Sequence, residues 1–298
     1  MSAPRLIVPG TTYLLGRRCF GRQLLLRPSA KINQIFEFCL AVAAARTGVL
    51  VHAHNVLSNH YHLVATDVRG NLPVFMHWLN EYVAKCVNAE LGRWESFWTP
   101  GSYSAVRLVD REAVLDKLAY VYTNPVEAGL VPRHEEWPGA RSLPADLEGG
   151  AKWVDRPEGF FRENGSVPAR ARLGFVLPRA FEGDVAASMA ALRALVRERE
   201  IAIRAKRRRM GAGFLGRRRV LEQSPLSRPR RRATRRGLNP RLASRDKWRR
   251  IEALQRLKSF LVSYREAWRR FCDGERQVVF PYGTYAMRVR FGVRCAGP

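Results

Sequence analysis

The stretch Val49-Leu-Val-His-Ala-His-Asn-Val-Leu-Ser-Asn-His-Tyr-His-Leu-Val-Ala-Thr66 reads as two β-rich runs, Val49 to Val56 and His60 to Thr66, joined by Leu57-Ser58-Asn59. That is the pattern of a hairpin. It holds four of the chain's six histidines. Side chains alternate along a strand, so His60 and His62 project from one face about 7 Å apart, while Tyr61 and Leu63 take the other. A rigid sheet could present such a pair to a metal ion. His52 and His54 form a second pair, and a turn at Leu57 to Asn59 would set His54 across from His62, leaving a four-histidine cluster open.

Working outward, Thr11 to Cys19 alternates as a strand. Ser29 is an N-cap for a helix from about Lys31 to Arg46, which Gly48 stops. A second helix is expected from Leu72 to Leu91 with Phe75, Met76, Leu79, Tyr82, Val83 and Cys86 as its apolar stripe. Tyr103 to Val109 is another strand, and Asp110 caps a third helix that ends at Asn124-Pro125. The order is strand, helix, strand, strand, helix, strand and an added helix: an α+β chain of ferredoxin-like βαββαβ type.

The rest of the chain is different in character. Prolines and glycines between 132 and 178 predict a loop-rich connection. Asp184 opens a helical pattern that ends in the Arg204 to Arg209 run. Arg228 to Arg236 is almost all arginine and is expected to stay unfolded without an anion. Ser244 is expected to cap a helix with Leu254, Leu257, Leu261, Tyr264, Trp268 and Phe271 as its stripe. A strand-like terminus would set Arg288, Arg290 and Arg294 on one side. We therefore divide the chain into a front domain (1–145), a connector (146–183) and a largely helical, arginine-rich C-terminal extension (184–298).

Charge separates these parts as well. The chain of 298 residues has 52 Lys and Arg against 26 Asp and Glu, a net charge of +26. Residues 1–200 hold 24 basic and 20 acidic side chains and residues 201–298 hold 28 and 6, so the front is near neutral and the back is a cation. A polyanionic partner is implied, with nucleic acid foremost. The five cysteines show no CxxC spacing, which argues against a zinc ribbon or a disulfide framework. No run is apolar enough to predict a membrane span, and a cytoplasmic setting is expected.

On the third helix Val114, Leu115, Leu118, Val121 and Tyr122 form the apolar stripe. Tyr120 falls nearly opposite its centre, with Asn124 one turn later on the same side. One reading of Tyr120 is an exposed or interface tyrosine. The other is a phenol held out as a nucleophile, with Asn124 offering a third, neutral metal ligand. A phenol is a poor nucleophile at neutral pH unless a neighbour or a metal assists. A divalent cation held by two imidazoles and an amide keeps its full charge and can polarise a phosphodiester.

Leu57-Ser-Asn-His-Tyr-His-Leu63 resembles the HUH motif of single-tyrosine transposases, and Tyr120-Val-Tyr-Thr-Asn-Pro-Val-Glu-Ala-Gly-Leu-Val131 resembles the tyrosine segment of their REP-associated branch. The resemblance covers about residues 5–145, with Trp98, Tyr103 and Trp137 also in familiar positions. It implies a DNA transposase that nicks and rejoins single-stranded, hairpin-forming DNA with Mg²⁺ or Mn²⁺. His60 and His62 would be ligands, Asn124 the third ligand, and Tyr120 the nucleophile forming a 5′-phosphotyrosine. A bacterial, nucleoid-associated location goes with it. Where many relatives carry an arginine after the tryptophan, this chain has Thr99-Pro-Gly-Ser102. Candidate DNA contacts are Lys117, Arg207, Arg208, Arg209, Arg230, Arg231, Arg232, Arg235 and Arg236. The competing reading is a domesticated DNA-binding protein with a silent site.

Overall fold

The computed structural model describes residues 4–229 and 240–298. Strand β1 (Thr11–Arg18), helix α1 (Ala30–Thr47), the hairpin β2 (Leu50–Leu57) and β3 (His60–Asp67), helix α2 (Leu72–Glu90), strand β4 (Ser104–Leu108) and helix α3 (Arg111–Glu127) follow in chain order. The first helix starts where expected, with Ser29 Oγ accepting from the Ile32 N–H, and ends at Gly48 in the left-handed region (φ 71°). Glycine takes that conformation without a Cβ clash.

The sheet runs β2-β3-β1-β4, each neighbouring pair antiparallel, and β7 (Leu242–Ala243) joins β4 in parallel at the edge. The chain is thus a mixed α+β structure around one central sheet. Alternation sorts its two faces. Tyr13, Leu15, Tyr61 and Leu63 pack beneath α1 and α2 with Phe36, Phe75 and Leu79. Ala53 and Val64 point the other way, against Leu118, Val121 and Tyr122 of α3. Helix α4 (Val185–Arg209) closes over α3 with Met189, Leu192 and Val196.

Several expectations need correction. Helix α3 passes through Pro125 to Glu127 rather than stopping at Asn124, and the Ala128 N–H bonds the Asn124 carbonyl at 2.9 Å. Pro125 lies in the last turn, where its missing N–H removes only one helical bond. The connection after α3 contains a hairpin, β5 (Ala151–Asp155) with β6 (Arg170–Gly174), whose alternation Val154, Ala171 and Leu173 packs on α1. Helix α5 (Arg217–Glu222) follows α4.

Helix α6 (Lys247–Cys272) is capped by Asp246, not Ser244, with the Asp246 carboxylate accepting from the Arg249 N–H at 2.9 Å. Ser244 instead donates to Asp110. The buried stripe of α6 is Ala253, Phe260 and Ala267, while Leu254 is exposed. The expected terminal strand is helix α7 (Ala286–Phe291), which buries Met287 against Phe280 and Val293. Among the described residues no helix is long and apolar enough to cross a membrane.

Candidate active site

Strand β3 carries His60 and His62 to the α3 side of the sheet. Its alternate residue, Tyr61, is fully buried in the opposite layer, where its hydroxyl donates to Asn80 Oδ1 at 2.9 Å. The two imidazole rings stand edge to face with centroids 5.0 Å apart. Helix α3 is fixed over them by its cap, Asp110 accepting from the Ala113 N–H at 2.7 Å. Its apolar stripe is gripped between sheet and α4.

That seating brings the Tyr120 hydroxyl to 3.1 Å from His62 Nε2, with the rings 5.0 Å apart. One turn later Asn124 is buried, and it lies close enough to His60 to favour the protonated imidazole. Among the described residues its Oδ1 nevertheless meets no partner at hydrogen-bond geometry. Burial, reinforced by the Arg18 charge, pulls the His60 pKa down to about 4, so the ring is neutral at pH 7. A neutral imidazole keeps a lone pair for a cation. His60 Nδ1 is 2.6 Å from Asn59 Oδ1.

Four residues separated by up to 64 positions in the chain, His60, His62, Tyr120 and Asn124, therefore meet at one place. Lys117 is beside them, its Nζ 5.9 Å from the Tyr120 ring, but it is paired with Asp116 at 2.8 Å. Arg208 and Arg209 end α4 in solvent. Arg207 is half-buried, its guanidinium 4.8 Å from the Phe214 ring centre and donating to the Gly213 carbonyl. Arg230, Arg231, Arg232, Arg235 and Arg236 lie outside the described residues.

The second histidine pair does not join the first. The hairpin turns on two residues, Ser58 and Asn59, so Asn55 rather than His54 faces His62. A bulge then absorbs His52, re-aiming the side chains around it. His54 enters the α1 layer, between the rings of Phe36 (6.3 Å) and Phe175 (5.7 Å) and 3.3 Å from Glu37. His52 bonds Thr66 Oγ1 at 2.7 Å and the Val176 carbonyl at 2.5 Å. Burial drives the pKa of His52 down to about 4 and that of His54 downward as well. A four-histidine centre is excluded by this register.

Three residues of the site escaped the sequence reading. Asn55 is buried opposite His62, with its Oδ1 unpaired among the described residues. Gly16 faces His62 from β1, and a Cβ there would come within 3.2 Å of His62 Nδ1 and 2.8 Å of the Tyr61 carbonyl. Arg18 faces His60. A glycine inside an alternating strand was the one available signal of close approach; the other two depend on register.

Among the described residues no group of three or more His, Cys, Asp and Glu could hold a metal ion. A cation here would need an amide beside the imidazoles. The buried Asn124 oxygen, beside His60 but without a well-aligned partner among the described residues, fits that need, since poorly satisfied buried acceptors are costly unless a partner arrives.

The chain matches no family model and no curated protein. Among solved structures it is similar to a REP-associated tyrosine transposase bound to a REP hairpin, at 17% identity over 58% of this chain and 98% of that one, with a TM-score of 0.42. It is also similar to a Deinococcus radiodurans R1 protein described as a transposase, at 18% identity over 39% of this chain and 93% of that one, with a TM-score of 0.29.

Proposed function

We propose that this chain is a single-tyrosine HUH transposase of the REP-associated kind, which nicks and rejoins single-stranded, hairpin-forming DNA. The observation that carries this reading is the Tyr120 hydroxyl 3.1 Å from His62 Nε2, with His60 and Asn124 beside it. The strand order β2-β3-β1-β4 favours the finer description of the sheet as ferredoxin-like. On this reading residues 1–145 are the catalytic domain, 146–183 the connector and 184–298 a DNA-binding extension in a bacterial nucleoid setting.

His60, His62 and Asn124 would hold a divalent cation, Mg²⁺ or Mn²⁺. When bound, such an ion supplies charge that neutralises a phosphodiester under attack. Tyr120 Oη forms a bond to phosphorus as the P–O3′ bond breaks. The proton lost by the phenol balances the one gained by the 3′-hydroxyl. The 5′-phosphotyrosine keeps the ester energy, so rejoining needs no nucleotide. Helix α3 holds the phenol in place, and the neutral His60 and the buried amide of Asn124 leave the anionic substrate unopposed by any carboxylate ligand.

Lys117, Arg208 and Arg209, with Arg230, Arg231, Arg232, Arg235 and Arg236, would contact phosphates and make binding salt-dependent. Arg207 is a weaker candidate because Phe214 and Gly213 already engage it.

Incubating the full chain with end-labelled hairpin DNA and Mn²⁺ should give a denaturation-resistant protein–DNA adduct that disappears in Tyr120→Phe. DNA binding without any adduct in the wild type would favour the domesticated, silent-site reading instead. An adduct that persists in Tyr120→Phe would move the nucleophile elsewhere.

A further inference from the structure

We propose that Arg18 binds the phosphate that Tyr120 attacks, as the cation the site itself supplies; this rests on the transposase reading above. Three observations converge on it. Arg18 is directly opposite His60 in the antiparallel β1–β3 register, and opposed residues project from the same face of a sheet. Its side chain is exposed. Among the described residues its guanidinium has no carboxylate partner.

The surroundings leave it free to act. The next residue of β1 on that face is Gly16, opposite His62, with Ser104 of β4 beyond it. At Gly16, β1 therefore adds no side chain of its own beside His62 on the face that Arg18 and His60 share. The β-carbon that would narrow this floor is excluded, since at Gly16 it would press on the Tyr61 carbonyl at 2.8 Å.

Two other described cations near the site have partners within the chain. Lys117 is paired with Asp116. Arg17 points through the opposite face, 5.6 Å from the Trp98 ring and donating to the Gly101 carbonyl at 3.3 Å. Imidazole, phenol and amide bring no charge of their own, whereas in-line displacement builds negative charge on the non-bridging phosphate oxygens. Guanidinium matches two such oxygens with a planar fork of donors.

The test compares full-length wild type, Arg18→Ala, Arg18→Lys and Arg46→Ala, the last removing an exposed charge at the end of α1. Single-turnover adduct formation on hairpin DNA with Mn²⁺ is followed beside oligonucleotide binding in chelator. Arg18→Ala is expected to slow adduct formation roughly 10- to 1,000-fold, Arg18→Lys to recover part of the rate, and Arg46→Ala to leave it unchanged. In chelator, Arg18→Ala should reduce the salt slope of binding by about one, with an unchanged melting temperature. Wild-type rates in Arg18→Ala, or an equal loss in Arg46→Ala, would overturn the role of Arg18 while the transposase reading stands. A wild type that binds DNA but never forms an adduct would overturn both.

Discussion

Asp116, on the helix that carries Tyr120, accepts from Arg245 at 2.8 Å as well as from Arg199 at 2.5 Å. One carboxylate thus ties α3 to α4 and to the segment that leads into α6. Six residues earlier, at the cap of that helix, Asp110 takes donors from Ala113 within α3 and from Ser244, Arg245 and Asp246 outside it. The segment 244–246 of the basic extension is therefore fastened to the helix that carries Tyr120.

Removing that fastening should be measurable. Asp110→Ala deletes an N-cap and leaves three donors unmet, and a cap alone is worth about 1 kcal/mol. Urea unfolding is expected to give a loss of about 2 kcal/mol. A change under half that size would mean that the segment 244–246 finds other acceptors.

Acid should weaken the fold through two carboxylates in particular. Burial by itself raises the pKa of Asp116 and of Glu37, but Lys117, Arg245 and Arg199 around the first, and His54 and Lys152 around the second, overcome it and hold both at about 2. Since the folded-state values lie below the unfolded ones, their contribution is present above about pH 4.5 and is lost as pH falls toward 2. Denaturant midpoints should drop over that window, and Glu37→Gln should flatten part of the drop while lowering stability at pH 7.

The two histidine pairs should separate cleanly. His52→Ala and His54→Ala are expected to cost about 2 kcal/mol or more each, because each empties a packed, hydrogen-bonded site. Calorimetric Mn²⁺ binding should survive in both. His60→Ala and His62→Ala should do the converse, abolishing Mn²⁺ binding with small effects on melting temperature.

Gly16→Ala probes the floor beneath His62. The added methyl must displace either the Tyr61 carbonyl or the imidazole, and overpacking of this kind costs roughly 1–3 kcal/mol. Adduct formation should fall more steeply than stability does, as read by single-turnover rate against melting temperature.

Local signals carried much of this in the sequence. Ser29, Asp110 and Asp184 each cap the helix expected of them, and the apolar periodicity of α1, α2 and α3 matches what is buried. The 100° step per residue sets Tyr120 apart from the centre of the stripe, but in the fold its ring is half-buried and packs against the same cluster as the stripe rather than facing away from it. What failed depended on residues distant in the chain. The facing of His62 by Asn55 rests on a turn one residue shorter than expected, with the bulge at His52 only beyond it, and the hairpin β5–β6 draws its order from α1 more than from its own Pro- and Gly-rich flanks. Ser244 lost its capping role because Asp110, 134 residues away, competes for its hydroxyl. The terminal arginines read as a strand, yet burying Met287 beneath Phe280 favours a helix there.

Deleting residues 240–298 is expected to do more than lower DNA affinity. It removes β7 from the edge of β4, the donors of 244–246 to Asp110 and Arg245 from Asp116. The shortened chain should melt at lower temperature and be cleaved faster by protease. Replacing Arg230, Arg231, Arg232, Arg235 and Arg236 by alanine should instead reduce the salt slope of DNA binding and leave melting unchanged.

The two-residue pairing of Leu242 and Ala243 with β4 also bears on how the molecule is made. Arg107 and Leu108 leave the ribosome more than 130 residues before the strand that will cover them, so during synthesis the nascent sheet has a naked border of unsatisfied amides and carbonyls, the kind of border that captures other chains. Premature termination anywhere before that point would release a polypeptide prone to aggregate.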